Sequence, residues 1–313
     1  MRAIITGGTG LIGSALAANL AGDGYDVVVL SRRAAAPNLP AGVRAVQWDG
    51  RSASGWGQLA DGASVIINLA GENISSGRWT AQRKQRITQS RVDAGHAVVE
   101  AVSAAQHKPD LVIQMSGIGH YGMHADDVVT EQNAPGNDFG AQVTLVWEEA
   151  TRPVEAMGVR RVILRTAPVL STRGGVLPKM MLPFHFFVGG KMGSGKQWFS
   201  WVHMADAIGA MRFLMADNQV RGAYNLCAPN PVTNAQFSRA LGRAMHRPSL
   251  VPVPAFALQL ALGEMSTVLV EGQRGVPQRL LDAGYTFHFA GIDAALADLL
   301  GRHTDQTPKK VNK

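Results

Sequence analysis

RAIITGGTGLIGSAL, residues 2–16, decides the fold. An apolar run (2–6) leads into Gly7, Gly10 and Gly13 at three-residue spacing. A stripe of Ile12, Leu16 and Leu20 follows, and Gly22 and Gly24 end it. A second apolar run, DVVVL, begins at residue 26. Strand, glycine loop, helix and strand in this order form a dinucleotide cradle. Glycines let the backbone pass close to a pyrophosphate, whose charge sits at the helix N-terminus.

The same alternation continues. Apolar runs recur at 44–48, 64–70, 111–116 and 161–166, near-continuous as in strands buried on both faces. Between them, Ile87, Ala94, Val98 and Val102 form one helical stripe, and Val143, Val146, Trp147, Ala150, Val154 and Met157 another. The fold class is therefore α/β, a Rossmann-like doubly wound parallel sheet with a smaller C-terminal substrate domain. Residues 171–204 change texture to Gly, Pro and aromatics, with a helix-like run only at 204–216. GAYNLC (222–227) reads as one more strand, and Thr233 with Gln236 stand at capping-box spacing. The expected division is 1–170 plus 205–227 for the nucleotide domain, and 171–204 plus 228–301 for the smaller one. Residues 302–313 read as a disordered tail.

Composition narrows the function. The 313 residues are 46% hydrophobic and 17% charged, as in an ordinary globular chain. Net charge is +7, but residues 302–313 carry four basic side chains and one acid, which leaves +4 on the rest. No run of stacking aromatics accompanies that charge, so nucleic acid is not expected as a partner. Cys227 is the single cysteine and reads as a buried bystander. PAFALQLALG (254–263) is too short to cross a bilayer. The expectation is a cytoplasmic monomer or homodimer that acts on an unidentified small molecule, away from membranes.

The second strand ends Leu30-Ser31-Arg32-Arg33, where an acid would hold a free ribose hydroxyl. A guanidinium suits an extra phosphate, so the cofactor expected is NADP(H) rather than NAD(H). RWTAQRKQRITQSR (78–91) has five basic residues and no acid. Arg83 and Lys84 read as a solvated helix face. Arg91 lies on the inward stripe and needs an anion, either the cofactor phosphates or an internal carboxylate.

TGGTGLIG (6–13), NLAG (68–71), the strand ending in Ser116, WVHMAD (201–206) and GAYNL (222–226) resemble the extended short-chain dehydrogenase/reductases. GENI…GRW (71–79), Ser90-Arg91, LPKMMLPF (177–184), GSGKQWFSWVH (193–203) and EGQRGVPQRLL (271–281) are similar to their atypical epimerase-like subgroup. The resemblance runs to about residue 300. It implies an NADP-binding fold with a C-terminal domain of unknown role. It places cofactor contacts on Gly7, Gly10, Leu11, Ile12, Gly13, Ser31, Arg32, Leu69, Ala70, Gly71 and Arg91, with Ala167, Pro168 and Val169 flanking the nicotinamide.

The wider superfamily uses a Ser with Tyr-x-x-x-Lys, the Lys lowering the Tyr pKa for acid–base work. Ser116 is present, but Phe139 stands at the Tyr position and Val143 at the Lys position. None of the four tyrosines has a lysine four residues on. SGIGHYG (116–122) offers substitutes. Tyr121 or His120 would donate a proton while Ser116 holds a carbonyl, and Glu72 would face the same cleft. Lys191 and Lys196 are candidates for an anionic substrate. GKMGSGK (190–196) imitates a Walker loop but continues with Gln197 instead of Ser or Thr. HYGMH (120–124) has metal-like spacing in what reads as a loop, so no metal is expected. Two readings stay open: an oxidoreductase-like or epimerase-like enzyme, and a non-catalytic NADP(H)-binding redox sensor or scaffold.

Overall fold

The computed structural model describes residues 1–33, 39–124 and 126–301, so the tail expected over 302–313 lies outside the described residues. The opening apolar run is β1 (Arg2–Thr6), and the glycine loop delivers the chain into α1 (Leu11–Gly22). There follow β2 (Asp26–Ser31), β3 (Val43–Gln47), β4 (Val65–Asn68), α2 (Ala81–Ala104) and β5 (Leu111–Gly117). Then come α3 (Phe139–Glu149), β6 (Arg160–Thr166), α4 (Leu177–His185), α5 (Met204–Ala216) and β7 (Gly222–Leu226). These seven strands make one sheet in the order β7-β6-β5-β4-β1-β2-β3, parallel throughout. Thr6 pairs with Leu30 on one side and Asn68 on the other, so strand order reverses at β1 and the crevice opens at its carboxyl end.

Both faces are covered, as the continuous apolar runs require. One face buries Ile5, Leu16, Ile113 and Leu164 with α1 and α5. The other buries Ile4, Trp56, Val98 and Val112 under α2. A third core holds Leu177, Phe184, Trp201, Phe237 and Leu296. It joins α4 to α6 (Asn234–Met245) and α8 (Ile292–Leu300); α7 (Ala255–Leu262) buries none of its residues. The capping box of α6 forms as expected: the Gln236 amide donates to Thr233 Oγ1 and the Thr233 amide to Gln236 Oε1. Leu280 and Tyr285, late in the chain, pack into the first core.

Two local expectations are corrected. The third stripe breaks after Glu149, before a short helix starting at Pro153, and Val146 is exposed rather than inward. Residues 177–185 are helical despite Pro178 and Pro183. Pro178 falls in the first turn, where the missing N–H costs nothing. No helix among the described residues is long and apolar enough to cross a membrane.

Candidate functional site

One cleft runs along the carboxyl ends of the strands in three sections. The first, of about 350 Å³, lies between the glycine loop and the end of β2, with Ser31, Arg32, Trp48 and Gly50 on its walls. The second, of about 670 Å³, shares Gly7, Gly10 and Leu69 with the first and continues past Leu11, Ile12 and Gly13 to Ala167, Pro168 and Val169. The third, of about 360 Å³, shares Ser116 and Thr166–Pro168 with the second.

The glycine loop fits a pyrophosphate. Gly7 has φ +65°, and a Cβ there would lie 2.9 Å from the Leu69 carbonyl. A Cβ at Gly13 would lie 2.6 Å from both the Gly7 oxygen and the Gly8 Cα. The N-cap of α1 is Gly10, with no side-chain cap, so its first-turn amides remain for an anion. Arg32 is exposed on the wall of the first section, its stem 3.6 Å from where a Gly50 Cβ would stand. The one carboxylate of that section, Glu72, is already paired with Arg83 at 3.5 Å and Arg86 at 3.6 Å. Every cofactor residue expected from the sequence lines the first two sections except Arg91. These residues would hold a dinucleotide with an extra phosphate at Arg32.

Arg91 sits instead on the wall of the third section, buried beside Trp147, with its guanidinium carbon 4.5 Å from that ring centroid. Nη1 donates to the carbonyls of Glu72 (3.0 Å) and Ile87 (2.9 Å). Nε is buried with no partner among the described residues. Burial brings its pKa down to about 10, so the side chain stays a cation at neutral pH. Among the described residues no carboxylate pairs with it, and its guanidinium carbon stands 3.1 Å from where a Cβ at Gly71, on the wall of the first section, would lie. Arg83 and Lys84 are also corrected from solvated: Arg83 Nη2 donates to the Asn73 carbonyl at 2.8 Å, and Lys84 pairs with Glu264 at 2.6 Å.

The acid–base candidates form a buried network behind the third section. Ser116 Oγ donates to Glu148 Oε1 at 2.7 Å. Arg165 clamps both Glu148 oxygens, each at 3.0 Å. Tyr121 is 1% exposed; its hydroxyl donates to Asn225 Oδ1 (2.7 Å) and accepts from Arg165 Nη1 (3.0 Å). Burial pushes its pKa up to about 12. His120 is 3% exposed, with Nδ1 3.3 Å from Glu148 Oε1, and burial holds its pKa below the ordinary imidazole value. The expected roles change accordingly. Tyr121 and His120 are struts outside the cleft lining. Ser116 lines the cleft, and while its proton goes to Glu148 its oxygen is free to accept a hydrogen bond there. Glu72 belongs to the first section, and Lys196 is exposed in its own loop, its amide donating to Ser194 Oγ. Val143, buried at 3%, faces the third section; Phe139 lies outside it, 5.0 Å from the Trp79 ring.

Sequence reasoning missed Glu148 and Arg165. The one usable signal was an arginine inside the apolar run RVILRT, which a buried strand tolerates only with a partner. It also missed Trp79, Trp147 and Trp198, which wall the third section.

Comparison with known proteins agrees with this fold. The family model described as "NAD dependent epimerase/dehydratase family" matches residues 3–227, and one described as "Domain of unknown function (DUF1731)" matches 253–299. Epimerase family protein YfhF of Bacillus subtilis is 38% identical over 96% of this chain and 98% of its own length. Epimerase family protein SDR39U1 of Mus musculus is 36% identical over 96% of this chain and all of its own. The crystal structure of human epimerase family protein SDR39U1 (isoform2) with NADPH superposes with a TM-score of 0.87, at 32% identity, over 96% of this chain and 99% of that one.

Proposed function

The chain belongs to the NAD dependent epimerase/dehydratase family, and on that premise we propose that it is an NADP(H)-binding, oxidoreductase-like enzyme for a small molecule held in the third section of the cleft. The continuity of the cleft carries this reading: Ser116 and Thr166–Pro168 are wall to both the second section and the third. A relative covered over 99% of its own chain is solved with NADPH, which supports the choice of dinucleotide. The glycine loop and first turn of α1 hold the pyrophosphate, Ser31 and Arg32 take the extra phosphate, and Ala167, Pro168 and Val169 flank the nicotinamide. When bound, the dinucleotide supplies or accepts a hydride. The chain contributes position and a dry cavity. Ser116, backed by Glu148, accepts from a substrate hydroxyl at the junction of the two sections. Calorimetric titration with NADPH and with NADH tests the reading. Tight NADPH binding and weak NADH binding are expected, and no binding of either would end it.

A second reading, a non-catalytic redox sensor, is favoured by Val143 and by the burial of Tyr121, which leave no titrating Tyr–Lys face on the cavity. NADPH oxidation with fractionated metabolites separates the two. Turnover with any fraction excludes a pure sensor.

A further inference from the structure

The third section tells more about its ligand than the family does, granted that the cleft is the cofactor and substrate site. Its walls are Trp79, Trp147, Trp198, Phe199, Ile118 and Val143. Its volume of about 360 Å³ is at the small end of ligand sites. One cation lines it, Arg91, and both of its carboxylates, Asp138 and Glu271, have other settings: Asp138 caps α3 by accepting from the Ala141 amide at 2.8 Å, and Glu271 is exposed. A nucleoside diphosphate sugar brings two phosphates, which one arginine and aromatic walls do not satisfy.

Two adjacent side chains on one wall have spare donors and nothing to give them to. Arg91 Nε is buried without an acceptor, and the hydrogen bonds of the guanidinium among the described residues are those of Nη1 to two backbone carbonyls. Trp147 Nε1, in the ring that Arg91 stacks on, is likewise buried without a partner. A buried guanidinium without a carboxylate and an indole N–H without a carbonyl each cost stability unless a ligand completes them. Both are donors only, so the missing group is an acceptor and an anion.

We propose that this cavity binds a compact, flat, largely apolar or aromatic carboxylic acid, its carboxylate held by Arg91 and Trp147 and its body between the tryptophans. The acid stands at the end of the cleft where Ser116 and Pro168 meet the dinucleotide sections, so an oxo or hydroxy group on it would face the reacting end of the cofactor.

The test uses the full chain loaded with NADP⁺, which blocks turnover of a ketone. Three probes are titrated calorimetrically: phenylpyruvate, its neutral counterpart phenylacetone, and UDP-glucose. Phenylpyruvate is expected to bind about tenfold or more tighter than phenylacetone, the usual value of one charge-assisted pair. UDP-glucose is expected not to bind. Arg91→Gln should erase the preference for the acid while leaving NADP⁺ affinity within a few-fold. Trp147→Phe keeps an aromatic ring but removes the N–H together with part of the indole, so it is read as the difference between the two probes, and it should weaken the acid more than the ketone. Equal affinity for acid and ketone, preference for UDP-glucose, or no binding of the acid at millimolar concentration overturns the proposal. So does an Arg91→Gln variant whose NADP⁺ affinity collapses, since Arg91 would then serve the cofactor. Failure of the wild-type chain to bind NADP⁺ at the outset is a different result and removes the reading of the cleft itself.

Discussion

Arg32 is the one basic side chain of the first section, and the choice between dinucleotides rests on it. Arg32→Ala should weaken NADPH about 10- to 100-fold, the value of one or two charge-assisted hydrogen bonds, and leave NADH unchanged. Parallel titrations check this, and equal losses for both cofactors would contradict it. Tyr121 is the opposite case, a hydroxyl that works inside the fold. Tyr121→Phe leaves Asn225 and Arg165 short of a partner and should cost about 1–3 kcal/mol in urea unfolding, with NADPH affinity untouched. A loss of cofactor affinity in that variant would return Tyr121 to the site. The difference in legibility between these residues is one of sequence distance. Arg32 and the glycines are read from neighbours a few positions away. Tyr121 takes its role from Arg165 and Asn225, 44 and 104 residues on, and no local pattern announces them.

At the scale of the element, α3 decides what acid–base chemistry is available. Its cavity face carries Val143 where the superfamily keeps a lysine, and that side chain is almost wholly buried against the cavity wall. Val143→Lys would bury a cation with no carboxylate arranged for it, at a cost of about 4 kcal/mol or more for several units of pKa displacement. The double variant Phe139→Tyr with Val143→Lys should therefore unfold earlier in a thermal scan without gaining reductase activity. A stable and newly active double variant would refute this. The glycine loop is equally unforgiving. Gly13→Ala pushes a methyl into the Gly7 carbonyl and the Gly8 Cα and should lower stability by about 1–3 kcal/mol while weakening NADPH. A variant with wild-type melting and affinity would mean that the loop yields. The strands, α1, α2 and α5 were legible because period and punctuation agree in them. The helix over 177–185 was not, because its two prolines read as loop signals. The break in α3 was not either, since the apolar period runs on past the point where Pro153 starts a new helix.

The whole molecule answers to pH through two histidines. Burial holds His120 and His203 below the ordinary imidazole value of 6.5. As pH falls through about 6.5 the unfolded chain takes up these protons first, so the native state loses ground. Stability from this source is complete above 6.5 and drains away below it. Calorimetric melting between pH 7.5 and about 5 should show Tm falling with acidity, and a flat or rising Tm would exclude it. Sequence alone carried the alternation of strands and helices and the parallel sheet, but not how its far edge is closed. Leu280 and Tyr285 come from the last part of the chain and fill the core beneath β7, a contact set by tertiary packing rather than by local pattern.

Strand order has a consequence for synthesis. β1 and β2 are made first and pair with each other; β3 lies on one edge of that pair and β4 on the other. β5, β6 and β7 then add in turn beyond β4. No strand has to be inserted between two already paired. A ribosome therefore delivers each strand to an edge that is already waiting. The glycine loop between β1 and α1 has its sheet neighbours by residue 68, long before Trp147 and Trp198 of the third section have left the exit tunnel.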